Sequence, residues 1–201
     1  MLDSRIRPLI DPISNKIGLV LSRAGLTANM VTIFGFLLGV VAFIALTQGH
    51  YAIACGLVIL NRICDGLDGA VARHQGMSDF GGYLDIVLDF IFYALIPLGF
   101  AIAEPEYAVA AAILIVSFVG TGSSFLAYAI IAEKRGMSTE IKGKKSLYYL
   151  GGLTEGTETI AVLLIMCIWP QYFPIFAYIF AFLCGVTTVT RIIWAYISFK
   201  E

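Results

Sequence analysis

Six apolar runs, near residues 30–48, 51–72, 80–103, 107–132, 147–169 and 174–198, decide what this chain can become. A bilayer core about 30 Å thick is crossed by about 20 apolar residues in a helix, and in lipid the backbone must satisfy its hydrogen bonds within the segment. The pattern therefore predicts an all-α, polytopic integral membrane protein with six transmembrane helices. Composition agrees, with 59% hydrophobic and 13% charged residues among 201, against about 45–50% and about 25% in soluble domains. Polar punctuation separates the runs: Gln48-Gly49-His50, Glu104-Pro105-Glu106, the stretch from Glu133 to Ser146, and the bracketing Pro170 and Pro174.

Lysine and arginine collect in cytoplasmic connections of membrane proteins. Here Arg5, Arg7, Lys16 and Arg23 precede the first run, Arg73 marks the second connection, Lys134, Arg135, Lys142, Lys144 and Lys145 fill the fourth, and Lys200 lies near the C-terminal end. The first, third and fifth connections carry none. Both termini are predicted to be cytoplasmic, in a multi-pass protein of the inner (cytoplasmic) membrane. Residues 12–24 set Ile13, Ile17, Val20 and Leu21 at helical spacing, which predicts a short N-terminal helix lying in the interface. With no soluble block and no internal repeat, residues 1–201 are expected to form one domain, 1–28 cytoplasmic or interfacial and 29–201 the six-helix bundle. The opening segment lacks the apolar core and cleavage site of a secretory signal and is expected to remain on the mature protein. Cys55, Cys64, Cys167 and Cys184 fall in apolar runs without metal-site spacing and read as packing residues. A formal net charge of −1 implies no attraction to nucleic acid.

Against this background four acids stand out. Asp65 and Asp68 lie three apart, and Asp85 and Asp89 four apart, so each pair shares one helical face. A short connection makes the two helices antiparallel neighbours, and the four carboxylates can converge. Each would cost up to about 2.5–3.5 kcal/mol at the centre of a membrane helix, so the cluster demands compensation. Hard divalent cations that prefer oxygen supply it, which points to magnesium or manganese; zinc is disfavoured because no His or Cys shares those faces. Gly66, Gly69 and Gly81 allow close approach of a bulky ligand or backbone, and Arg73 offers a fixed charge for phosphate.

The segment Asp65-x2-Asp68-Gly69-x2-Ala72-Arg73-x7-Gly81-x3-Asp85-x3-Asp89 resembles the signature of the CDP-alcohol phosphatidyltransferases. Seven residues separate Arg73 from Gly81 where many members have eight, which affects the position of Ser78. A second element of that family, Pro-Asn-x-x-Thr, is matched by Ala28-Asn29-Met30-Val31-Thr32, with alanine in place of proline. From residues alone, Thr27 or Asn29 is a helix cap. The resemblance implies that Asp65, Asp68, Asp85 and Asp89 hold two divalent ions, that Asp89 also takes a proton from an alcohol acceptor, and that Asn29, Thr32, Gly69, Arg73 and Ser78 contact the CDP group. It further implies a homodimer of six-helix subunits that moves a phosphatidyl group from CDP-diacylglycerol to the alcohol and releases CMP. Tyr148 to Thr159 resembles an uncharacterised bacterial branch, which carries no acceptor identity.

Candidate acceptor-pocket residues are Lys134, Arg135, Glu155, Glu158 and Arg191, the acids lying near the start of the fifth run and Arg191 at similar depth on the sixth. Lys134, Arg135, Lys142, Lys144 and Lys145 could recognise a phosphorylated acceptor, but they read first as topology signals. Two rivals stay open on sequence: transfer from a soluble CDP-alcohol to diacylglycerol, and divalent cation transport through intramembrane carboxylates. The Asp-Gly-x-x-Ala-Arg arrangement favours the enzyme, since a cation route has no use for an arginine beside its sites.

Overall fold

The computed structural model describes residues 3–137 and 153–200, with side chains from residue 11 onward. The described chain is helical, in the order α1 (Asp3–Arg23), α2 (Ala28–Thr47), α3 (Tyr51–Gln75), α4 (Asp79–Ala103), α5 (Ala108–Lys134), α6 (Gly156–Ile168) and α7 (Phe173–Phe199). Single 3-10 turns at Pro105–Tyr107 and Pro170–Tyr172 lead into α5 and α7, each opened by a proline whose missing N–H is not needed there. Among the described residues, four segments are long and apolar enough to cross a membrane: Ala28–Thr47, Asp79–Ala103, Pro105–Lys134 and Pro170–Phe199. At 25 residues α3 has the length, about 37 Å at 1.5 Å per residue, but Arg62, Asp65, Asp68 and Arg73 take it out of that apolar class. Of the run expected at 147–169, residues 147–152 lie outside the described residues, as do Lys142, Lys144 and Lys145; Leu153, Thr154 and Glu155 are not helical, and α6 has 13 residues from Gly156.

Local chemistry explains the boundaries. Thr27 caps α2, its Oγ1 accepting from the Met30 N–H at 3.3 Å, and Ser78 caps α4, its Oγ accepting from the Gly81 N–H at 3.0 Å. Gly76 ends α3 at φ +97°, a conformation that suits glycine, and the three-residue connection Gly76 to Ser78 folds α4 back antiparallel to α3. Helix α1 begins well before the predicted residue 12 and continues through Pro12.

Helix α2 packs along both α3 and α4, α5 packs on α4 and α7, and α6 lies on α3. The two ends of the bundle differ. At one end Tyr51, Phe100, Phe173 and Tyr107 form an aromatic stack with centroid spacings of 5.4, 4.4 and 5.4 Å, continuous with a buried core that includes Leu46, Val58, Ile96, Leu114 and Met166. The other end, where α3 meets α4, holds the polar groups. There α1 lies against α3 so closely that a Cβ on Gly18 would stand 2.8 Å from the Ala70 backbone, and Asn15 accepts from Arg73 Nε at 2.9 Å.

Candidate metal centre and adjoining cavities

The C-terminal half of α3 and the N-terminal half of α4 bring the acids together. One oxygen from each of Asp65, Asp85 and Asp89 lies within 4.8 Å of the others. Oxygens on a common magnesium or calcium-sized ion, each bonded at about 2.0–2.6 Å, stand up to roughly 4–5 Å apart, so the trio fits one divalent ion after small rotamer shifts. Asp68 stands outside the trio but lines the same recess of about 10 Å³, together with Asp65, Asp85, Asp89 and Thr32. That volume holds about one water-sized sphere. All four donors are carboxylates, and a hard oxygen set of this kind suits magnesium or manganese.

Neighbouring helices orient the acids. Thr32 Oγ1 donates to Asp68 Oδ2 at 2.6 Å, tying α2 to the cluster. Asn61 Nδ2 donates to the Gly35 carbonyl at 2.8 Å, an approach of α3 to α2 that a larger residue at 35 would block, since its Cβ would fall 2.8 Å from Cys64 Cβ. Arg62 was not assigned a role from sequence, yet it reaches into the cluster. Its Nη2 donates to Asp89 Oδ1 at 2.7 Å and its Nη1 lies 3.7 Å from Asp65. Tyr93, also unassigned, donates to Asp89 Oδ2 at 3.4 Å. Spacing carried both signals: Arg62 precedes Asp65 by three residues and Tyr93 follows Asp89 by four, so each shares a face with an acid.

A broad cavity of about 630 Å³ opens from the cluster toward α1 and α6. It is lined by the four aspartates, Gly66, Gly69 and Arg73, with Asp11 and Ser14 from α1 and Gly156 and Thr157 from α6. Gly69 leaves Arg73 Nη1 as the near neighbour of its open face, 3.7 Å from where a Cβ would be, so the arginine lies alongside the glycine surface. Asn29 and Ser78 meet elsewhere, at the first turn of α4, where a Cβ on Gly81 would stand 3.0 and 2.9 Å from their side-chain oxygens. Thr32 lines the small recess, so Gly69, Arg73 and Thr32 face the two spaces that the acids share, and Asn29 and Ser78 brace the helix that carries Asp85 and Asp89.

A further cavity of about 210 Å³ lies between α4, α5, α6 and α7. Phe90, Tyr93, Phe118 and Phe125 form apolar walls, and Thr121, Thr154, Glu155, Thr159 and Arg191 supply polar groups. Glu155 is 9% and Arg191 7% exposed. Arg191 is fixed by donating to the Thr121 carbonyl at 2.8 Å and by lying 5.5 Å from the Phe125 ring centroid. Tyr93 and Gly156 line both this cavity and the broad one, so the two spaces adjoin at those residues. Of the expected acceptor residues, Glu155 and Arg191 come together here. Glu158 lies in the first turn of α6 and lines neither cavity. Lys134 and Arg135 also line neither; Arg135 Nη2 donates to the Phe199 carbonyl at 3.0 Å and closes the ends of α5 and α7.

With this geometry in view, the sequence profile of the CDP-alcohol phosphatidyltransferases matches residues 25–194. The chain belongs to the CDP-alcohol phosphatidyltransferase family. It is thus a transferase of phospholipid synthesis and a multi-pass membrane enzyme. Inner membrane protein YnjF of Escherichia coli (strain K12) is 47% identical over all of this chain and 98% of that protein. An archaetidylinositol phosphate synthase of Pyrococcus horikoshii is 29% identical over 94% of each chain. Two crystal structures of the phosphatidylinositol phosphate synthase of Mycobacterium tuberculosis share the fold. One, with CDP-DAG bound, superposes with a TM-score of 0.74 at 24% identity and covers 92% of this chain and 94% of that one. The other, in complex with manganese and citrate, gives 0.72 at 25% identity over 91% and 88%. A divalent metal for this CDP-alcohol phosphatidyltransferase agrees with both its own carboxylate set and the manganese of that relative.

Proposed function

We propose that this enzyme moves a phosphatidyl group from CDP-diacylglycerol to an alcohol acceptor and releases CMP. The observation that carries the proposal is the convergence of Asp65, Asp85 and Asp89 within 4.8 Å beside a cavity large enough for a nucleotide diphosphate. Support for the donor comes from the CDP-DAG complex of the mycobacterial relative. Asp65, Asp68, Asp85 and Asp89 hold magnesium or manganese, two ions by family resemblance. The chemistry such ions supply when bound is neutralisation of the diphosphate oxygens and of departing CMP.

The chain's own groups divide the remaining work. Arg73 pairs with phosphate oxygens over the open surface of Gly69, with Thr32 at the recess beside it and Asn29 and Ser78, which resemblance assigns to the CDP group, acting through the first turn of α4. Asp89 accepts the hydroxyl proton of the acceptor as its oxygen attacks the phosphorus of the diacylglycerol side. The new oxygen–phosphorus bond forms, the bond to CMP breaks, and the product is a phosphodiester lipid. The acceptor approaches through the space bounded by Glu155, Arg191 and Tyr93, with Lys134, Arg135 and Glu158 more remote. Helices α2 to α7 are six membrane spans, α1 lies in the cytoplasmic interface, both termini face the cytoplasm of a cell whose inner membrane holds the protein, and the active form is a homodimer.

The decisive test is CMP release by the purified protein in detergent with CDP-diacylglycerol, magnesium or manganese, and a panel of alcohols, beside Asp89→Asn. Alcohol-dependent release that the variant lacks is expected. Release only with soluble CDP-alcohols and diacylglycerol would reverse the direction of transfer, and release in neither case would sink the proposal.

A further inference from the structure

Arg62 occupies a position inside the carboxylate cluster that metal coordination alone does not explain. Its side chain is 15% exposed, and Nη2 donates to Asp89 Oδ1 at 2.7 Å while Nη1 stands 3.7 Å from Asp65 Oδ1. Those are two of the three residues whose oxygens converge. Three further contacts hold the guanidinium independently of the acids. Nε donates to Asn61 Oδ1 at 2.7 Å, Nη1 donates to Tyr93 Oη at 3.3 Å, and the guanidinium carbon lies 4.6 Å from the Phe92 ring centroid and 5.6 Å from that of Tyr93. A guanidinium shelved on two aromatic faces retains favourable contacts when it lets go of a carboxylate.

We propose that Arg62 is an intramolecular cation that competes with divalent metal for Asp65 and Asp89. This rests on the carboxylates being a metal site, as set out above. Two physical facts require the competition. A carboxylate oxygen bound within 2.7 Å of a guanidinium nitrogen has one fewer lone pair directed at an ion, and a fixed positive charge a few ångströms from a divalent cation repels it in a medium of low dielectric. Metal entry therefore draws Asp89 and Asp65 away from Arg62, which settles on Asn61, Phe92 and Tyr93. When the ion leaves, Arg62 returns and neutralises carboxylates that would otherwise repel one another at membrane depth. The arrangement keeps the site folded without metal and limits affinity, so that metal occupancy follows the free concentration of the ion and its nucleotide substrate.

Direct metal binding and stability, without turnover, test the competition. Manganese affinity is read from the loss of the free-ion electron paramagnetic resonance signal, and melting temperature in detergent is read with and without manganese, for the wild type, Arg62→Gln and Arg62→Lys. Arg62→Gln is expected to bind manganese tighter by about tenfold, to melt lower than the wild type without metal, and to gain more from added manganese. Arg62→Lys keeps a charge but loses the planar fork that spans two acids, so its affinity falls between the two; it carries the test if the glutamine variant fails to fold. Equal or weaker manganese binding in both variants would overturn the proposal. Asp85→Asn separates the two levels of inference: manganese binding that is lost in Asp85→Asn but unchanged by the Arg62 substitutions overturns the competition alone. Manganese binding undetectable in the wild type and in both Arg62 variants overturns the metal site as well.

Discussion

Thr32 Oγ1 on α2 donates to Asp68 Oδ2 on α3 at 2.6 Å, a short hydrogen bond to a carboxylate that joins two helices at the candidate metal centre. Asp68 is 6% exposed, and Thr32 Oγ1 also lies 3.0 Å from the Ala28 carbonyl oxygen, so its single proton is shared between that carbonyl and the shorter contact to Asp68. Hydrogen bonds to charged groups contribute about 1.5–3 kcal/mol. Thr32→Val keeps the shape and removes the donor, so the carboxylate turns freely. The expected outcome is an approximately tenfold higher metal requirement for CMP release, with a lower melting temperature, and recovery of both in Thr32→Ser. A metal titration of the three proteins checks it.

Helix spacing at α2 sets the distance between the acids. A Cβ on Gly39 would stand 2.6 Å from Phe92 Cδ2, within a core where Phe92 is 1% exposed and underlies Arg62. Gly39→Ala therefore drives Phe92 off its position and is expected to destabilise by about 1–3 kcal/mol. Gly56, in the interior of α3, has no heavy atom within 4 Å of a built Cβ, and its replacement by alanine is expected to be neutral or to stabilise by up to about 1 kcal/mol. Thermal unfolding in detergent should show a lower melting temperature for Gly39→Ala and an unchanged or higher one for Gly56→Ala; an equal drop in both would disprove the packing account.

The acids were legible because helical spacing is local: three and four residues bring pairs to one face whatever the rest of the chain does. Helices α2 and α7 appear close to their predicted places for the same reason, at Ala28–Thr47 for 30–48 and Phe173–Phe199 for 174–198, whereas α6 begins only at Gly156, inside the run predicted at 147–169. What escaped depends on how helices rotate against one another. Arg62 meets Asp89 across 27 positions and Thr32 meets Asp68 across 36, and no periodicity reports such pairings. Helix α1 was expected only over 12–24, where Ile13, Ile17, Val20 and Leu21 keep helical spacing, yet it begins at Asp3 and runs through Pro8 and Pro12, each of which removes a backbone donor. The acceptor candidates sorted by geometry that sequence lacks: Glu155 and Arg191 share a cavity, while Arg135 is spent on the end of α7.

That sorting yields a prediction for the cavity between α4 and α7. Glu155 lines it while Glu158, three residues on, does not. If the acceptor passes there, Glu155→Gln should raise the KM for the alcohol by about five- to thirtyfold, the worth of about 1–2 kcal/mol, and leave the KM for the CDP-linked donor unchanged. Glu158→Gln should change acceptor kinetics less. Initial rates with each substrate varied in turn decide between the two acids.

Among the described residues, helix α1 is held to the catalytic end by close packing and by polar contacts of Asn15 and Asp11, the latter 3.9 Å from Arg73 Nη2. Gly18 meets Ala70 with no room for a side chain, Asn15 Oδ1 accepts from Arg73, and the Asn15 carbonyl lies 3.1 Å from His74 Nε2. Asp11 and Ser14 then close one side of the broad cavity that Arg73 also lines. Gly18→Leu introduces a side chain where a Cβ alone would collide with backbone, so α1 must lift, at a cost of about 1–3 kcal/mol that lies within reach of a single helix contact. Arg73 loses its brace and the donor cavity its wall. The expected result is faster tryptic cleavage at Arg23 and a raised KM for the CDP-linked donor, with little change for the alcohol. Asn15→Ala, which removes the hydrogen bond and keeps the packing, should raise the donor KM less and leave cleavage at Arg23 slow. Were Gly18→Leu as protease-resistant as the wild type, the seat of α1 on α3 would not be the wall of the donor site.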